Sequence, residues 1–174
     1  MRSVAERARW IATFRFVEVR LMEIAAAWTP TTPEMEVKVL LGRHIWDFAQ
    51  HADALGRRTF ELRQPEHHTL RPAEAYADVL EEAARLEATA ERLAALYDAL
   101  LPGMQTRYRS YLGATDGVLD APSVVILERL LADLARQRSE ADAVRRELGL
   151  ASAPPTALLR RDAGVPSLVP EGPA

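Results

Sequence analysis

Apolar residues return at alternating three- and four-residue steps along four stretches of the chain, the period of helices with one buried face. The first stretch runs through Trp10, Phe14, Val17, Leu21 and Ile24. At its head Ser3 and Glu6 have capping-box spacing, and Thr29-Pro30-Thr31-Thr32-Pro33 ends it near Trp28. Thr32 before Pro33 predicts the N-cap and first turn of a second helix. That helix reaches about Leu62 and turns Val37, Leu41, His44, Phe48, His51 and Leu55 inward, so two histidines fall on its apolar stripe. Gln64-Pro65 breaks the chain, and His67-His68 lie in a polar connection expected to face solvent. A third helix restarts at Pro72 and carries Val79, Ala83, Leu86, Ala90, Leu93, Tyr97 and Leu100. Leu101-Pro102-Gly103 is expected to kink or split it ahead of Tyr108 and Tyr111. After a turn at Ala114-Thr115-Asp116-Gly117, Asp120 or Ser123 can cap a fourth helix, with Leu127, Leu130, Leu134, Gln137, Ala141, Val144 and Leu148 on its stripe and Gly149 at its end.

No strand-like alternation persists, so the expected fold class is all-α. It is an antiparallel four-helix bundle over 1–150 with a kinked or split third helix, followed by an extended Pro-rich C-terminal tail over 151–174. Five prolines in that tail argue against another helix, although Leu158, Leu159, Val165, Leu168 and Val169 are apolar enough to pack on a surface. The length of 174 residues suits one domain. With no cysteine there is no disulfide, thiolate metal site or cysteine nucleophile. No run of apolar residues is long enough for a membrane span, and the start of the chain does not read as a secretory signal, so a cytoplasmic location is expected. A net charge of −3 gives no electrostatic reason to expect nucleic acid or an anionic membrane as partner. Lys38 is the single lysine among 22 Lys and Arg residues.

Two stripe segments share a pattern: Asp47-Phe48-Ala49-Gln50-His51 on the second helix and Asp133-Leu134-Ala135-Arg136-Gln137 on the fourth. Both read Asp-apolar-x-x-(His or Gln). Over about residues 3 to 148 the chain resembles the ferritin-like di-iron carboxylate superfamily, whose second and fourth helices carry Asp-Glu-x-x-His and whose first and third each add a glutamate. Under that resemblance Glu18 matches the first-helix glutamate and His51 the second-helix histidine, while Asp47 and Asp133 match the aspartates that orient histidines. Phe48 and Leu134 stand where carboxylates belong, Gln137 replaces the second histidine, and the third helix offers only Ala90 or Glu87. The resemblance therefore implies a ferritin-like bundle that has lost most metal ligands, with no metal and no cofactor.

The candidate residues carry several readings. If the chain is an enzyme, His51 oriented by Asp133 would be the general base or acid and Glu18 a second proton carrier, for isomerisation, elimination or cyclisation in a biosynthetic pathway. Phe14, His44, Asp47, Phe48, Tyr97, Leu134 and Gln137 would then line an apolar core pocket for a small organic molecule. Alternatively, His51 is a satisfied core histidine, Glu18 snorkels to water and the protein is a non-catalytic scaffold or partner-binding module. A third reading is an oxygenase with one metal held by Glu18, Asp47 and His51; His44 lies about 10.5 Å from His51 along the helix, too far to share an ion. Trp10, Phe14, Trp46 and Tyr97 read as packing aromatics, and Arg107 and Arg109 as a solvated face. A homodimer fits the bundle, and Val165-Pro166-Ser167-Leu168-Val169 is apolar enough to dock on a protein partner.

Overall fold

The capping box forms as its spacing requires: Glu6 N–H donates to Ser3 Oγ at 3.2 Å and Ser3 N–H to Glu6 Oε2 at 2.6 Å. From it the first helix, α1, runs Val4–Trp28. The structure is a computed structural model describing residues 2–63, 68–150, 156–165 and 167–170. Among these the regular structure is entirely helical, without a strand, and no helix is long and apolar enough to cross a membrane. The break at Gln64-Pro65, His67 and the start of the tail lie outside the described residues.

The second helix, α2 (Met35–Glu61), begins later than Thr32 predicts, with Glu34 at its N-cap. The Thr32 hydroxyl is turned back instead, donating to the Trp28 carbonyl at 2.9 Å and so closing the end of α1. The helices α1 and α2 are antiparallel neighbours, and α2 also packs along α6 (Ala121–Leu148). Three cross-pairs fix that packing as antiparallel: His44 with Glu140, His51 with Asp133 and Arg58 with Asp120. Gly149 ends α6 at φ +62°, a left-handed conformation that glycine adopts without steric cost.

The third helical stretch divides at Arg85–Ala88, upstream of Pro102. It gives α3 (Glu74–Ala84), α4 (Thr89–Ala94), a π-helical turn over Ala95–Leu100 and α5 (Leu101–Ala114). The division comes from tertiary bonding, because Arg92 Nε donates to the Leu86 carbonyl and Arg92 Nη1 to Thr32 and the end of α1. Pro102 leaves the helical rod unbroken. In the π register Leu101 N–H bonds to Leu96 O, so the next donor, missing in proline, would have served Tyr97 O. Arg138 Nε from α6 supplies it at 3.0 Å.

The tail is not wholly extended, since Thr156–Ala163 forms α7, which packs on α3 and the π turn. Eight residues would not hold a helix in water. Leu158 is driven into the core and Asp162 is clamped by Arg107 through two contacts at 2.9 and 3.0 Å. Arg107, expected on a solvated face, is thereby mostly buried and stacks over Tyr76. Leu168 buries its side chain, and its carbonyl accepts from Ala73 N–H at 2.8 Å, so the apolar tail residues are occupied on their own chain. Trp46 departs from its expected packing role: it is 65% exposed on the outer side of α2.

Gly103 makes the α7 clamp possible, because a Cβ there would overlap the Asp162 carboxylate. Gly103→Ala is expected to destabilise the protein by about 1–3 kcal/mol, the usual range for overpacking. It should also release α7, seen as faster backbone hydrogen exchange over 156–163 than in the parent, with α6 exchange unchanged.

Candidate functional site

Both stripe histidines of α2 meet α6 on one side, with α1 on the other side of His51 and the π turn on the other side of His44, and each takes two hydrogen-bond partners. His51 Nδ1 lies 3.0 Å from Glu18 Oε2 on α1, and Nε2 lies 3.3 Å from Asp133 Oδ2 on α6. Tyr108 from α5 donates to the other Glu18 oxygen at 2.5 Å. Glu18, His51 and Tyr108 are all buried. With a carboxyl group on each side, the two ring nitrogens of His51 can both donate only when the ring is protonated. Burial pulls its pKa down, but the charge and hydrogen bond of Glu18, joined by those of Asp133, outweigh it and the net shift is upward.

His44 behaves in the opposite way. Its Nε2 lies 3.0 Å from Glu140 Oε2 and its Nδ1 2.7 Å from the Tyr97 hydroxyl. Burial, only partly offset by Glu140, lowers its pKa. A neutral ring donates from Nε2 to the carboxylate and accepts the Tyr97 proton at Nδ1. Burial pushes the Tyr97 hydroxyl well up, in keeping with its donor role.

Arg136 joins the two histidine groups. Its Nη2 donates to Asp47 at 2.8 Å and to Asp133 at 3.0 Å, and its Nη1 to Glu140 at 3.1 Å. Burial opposes ionisation of Asp133, yet hydrogen bonds from Arg136 and His51 hold its carboxyl below the usual carboxylate range. Asp47 also accepts from Gln137 Nε2 at 3.1 Å, while Gln137 Oε1 is buried without a partner. His51 thus meets Asp133, the residue expected to orient it, and Asp47 meets Gln137. A hydrogen-bonded line runs from Tyr108 to Tyr97 across α5, α1, α2, α6 and the π turn.

The remaining pocket candidates are packed. Phe14, Phe48 and Leu134 are fully buried, and Phe14 meets Tyr108 edge-on with centroids 4.8 Å apart. None of the seven expected pocket residues lines a described cleft. The best-formed cleft, of about 420 Å³, lies outside this line between α5 and the C-terminal segment, against Trp10, Thr106, Arg107, Leu159 and Asp162. Among the described residues no group of three or more His, Cys, Asp or Glu is placed to hold a metal ion. The reason is visible at His51, whose two nitrogens point to opposite sides, so Glu18 and Asp133 do not converge on one point. Glu87 is exposed and takes no part.

A second buried cluster escaped the sequence reading. Asp120 accepts from Ser123, Tyr111, Thr115 and Arg58 at 2.6 to 3.0 Å. Burial works against its charge, but these donors keep its carboxyl below the ordinary range. Arg58 stands three residues beyond Leu55 on the α2 stripe, which is the signal that could have found it. Arg136 and Glu140 flank the α6 stripe and had no such signal. His68 is only partly exposed, 2.9 Å from Thr59 Oγ1.

Because the folded pKa of His51 is raised, its contribution to stability is complete below the unfolded value of about 6.5 and is lost as pH climbs through the folded value. His44 has the opposite sign: its contribution is present above about 6.5 and fades on acidification. In thermal unfolding from about pH 5 to pH 9, the stability gap between parent and His51→Gln should narrow toward high pH. The gap for His44→Gln should narrow toward low pH. A gap for His51→Gln that ignores pH would exclude the imidazolium.

No family model, no curated protein and no solved structure matches this chain, so what the site does follows from its own geometry.

Proposed function

We propose that the chain is a metal-free, ferritin-like four-helix bundle acting as a non-catalytic scaffold, which binds a partner at its surface while its polar core holds the helices in register. The bundle reading is supported by the antiparallel packing of α1 on α2 and α2 on α6, with α5 against α6. The ferritin-like reading is supported by Glu18, His51, Asp47 and Asp133 meeting in one core line. The observation that carries the functional reading is that both ring nitrogens of His51 are occupied by carboxylates inside a packed core. A general base needs a free nitrogen within reach of a substrate proton, whereas both nitrogens of His51 face carboxyl groups and the clefts described among these residues do not touch it.

One observation favours a second reading, a proton-transfer enzyme with an apolar core pocket for a small organic molecule. Asp133 is partly exposed at 26%, so the line from Tyr108 through Glu18 and His51 has a proton route to water. That reading requires the core to open.

Acylation by diethyl pyrocarbonate tests the closed core, because a histidine reacts with it only through an accessible, unprotonated ring nitrogen. His51 and His44 are expected to react at least about tenfold more slowly than a histidine in a short peptide, as close-packed interiors admit little. Labelling of His51 at the peptide rate would overturn the scaffold reading in favour of the enzyme.

The metal-free part is checked separately. Protein purified from cells supplied with iron and manganese should hold far less than one equivalent of either by elemental analysis. Two metal ions per chain would overturn it.

A further inference from the structure

The outer side of α2 carries a second apolar stripe. At 100° per residue, Met35, Val39, Gly42, Trp46, Ala49 and Phe60 lie within about 40° of one line, opposite the core-facing stripe. Met35 is 65% exposed, Val39 52%, Trp46 65% and Phe60 61%. No other described helix packs over them, although Phe60 meets the His68 ring with centroids 5.0 Å apart, and an exposed tryptophan between exposed aliphatic residues is the composition of an interface centre.

Gly42 gives an independent reason to expect a close neighbour. It sits mid-helix, where glycine costs about 0.5–1 kcal/mol relative to alanine. Yet a Cβ there would meet nothing within 4 Å, so nothing inside the chain requires its absence. A body approaching from outside would.

The charges in and beside the stripe say which body. Glu36, Arg43 and Glu61 flank the stripe, while Asp53 and Arg57 interrupt it between Ala49 and Phe60, and along α2 the five alternate negative and positive. Laid against itself in reverse, the helix sets Glu36 beside the partner's Arg57 and Arg43 beside the partner's Asp53. A parallel alignment sets like against like. Met35 with the partner's Phe60, and Trp46 with the partner's Ala49, centre on the same place as these charge pairs, between residues 46 and 48. Within the chain Asp53 and Arg57 pair only with each other, 2.8 Å apart and more than half exposed, and so remain open to a partner.

We infer that the outer face of α2 is the interface between two copies of this chain, packed antiparallel about a two-fold axis near residue 47, with Trp46 as its anchor and Gly42 permitting close approach. Such a contact is isologous, the usual form of a soluble dimer, and spans about 39 Å of helix. The inference rests on the surface-binding reading above and names its partner.

Sedimentation velocity on the full chain over about 1–100 µM, a span that brackets micromolar dissociation constants, tests it. The parent is expected to sediment at twice 19.3 kDa in the upper part of the range. Trp46→Glu should be monomeric throughout. Gly42→Leu, whose side chain enters open space, should keep or raise the melting temperature of the monomer while weakening the dimer at least tenfold. Arg43→Glu should weaken it, and adding Asp53→Arg should restore it. A parent monomeric at every concentration overturns the inference, as does a Trp46→Glu chain that stays dimeric. A monomer would leave the closed-core scaffold standing with some other partner, whereas acylated His51 would end that scaffold whatever the mass.

Discussion

A fully buried carboxylate, Glu18, sets the terms for the middle of this molecule. Away from water it needs a cation or a set of donors at hydrogen-bond distance. Tyr108 supplies one donor and His51 the charge. Once protonated, His51 must place its second N–H, and Asp133 takes it; Asp133 in turn draws in Arg136, which gathers Asp47 and Glu140. Between them these steps draw on α1, α2, α5 and α6. Sliding α2 along α1 by one turn would strand Glu18, while sliding α6 would strand His51. Buried ion pairs rarely beat an apolar replacement in net stability, and a single register is a benefit such a pair can confer.

The rest of the core shows the same use of cations with several acceptors. Arg58 bridges Asp120 and Ser123, Arg145 grips Asp98 with two nitrogens, and Arg107 holds both Asp162 oxygens and the Asp162 carbonyl. A planar guanidinium can satisfy a fork of oxygens and lay its face on an aromatic ring, as Arg107 does on Tyr76 and Arg145 on Tyr97. A lysine ammonium offers neither. With Lys38 the one lysine, the chain carries in its composition the residue type its half-buried ion pairs need.

What could be read in advance follows the reach of the side chain. His44, His51 and Gln137 stand on apolar stripes, so helical period alone placed them inward, whereas Glu18 was placed only through the resemblance and was otherwise expected to snorkel to water; the structure buries all four. Asp133 was reachable by its step beside Leu134. Arg136 and Glu140 act by reaching sideways between α6 and α2, and nothing along the chain encodes which neighbour lies there. The division at Arg85–Ala88 was hidden because Leu86 and Ala90 keep the helical period; Arg92 and its bonds to Leu86, Trp28 and Thr32 override it. The short helix α7 was likewise hidden, being formed by docking rather than propensity. Trp46 misled because a tryptophan usually marks packing, yet the helical angle already set it opposite Val37 and Leu41.

Charge counting explains why Phe48 and Leu134 matter as much as the polar residues beside them. The line sets Glu18, Asp47, Asp133 and Glu140 against a protonated His51 and Arg136; Glu18 and His51 are buried, Arg136 is 41% exposed, and Arg43 3.8 Å from Glu140 and Arg129 3.9 Å from Asp133 stand at the rim. Four negative groups thus meet four positive ones within the chain. Carboxylates at positions 48 and 134 would add two negative charges deep in the core, beyond the reach of rim arginines, and only bound cations could offset them. With apolar side chains at both places the balance closes without any added ion. Burial alone would pull the His51 pKa down, so it is the carboxyl groups of Glu18 and Asp133, set among apolar neighbours such as Phe48 and Leu134, that turn its shift upward.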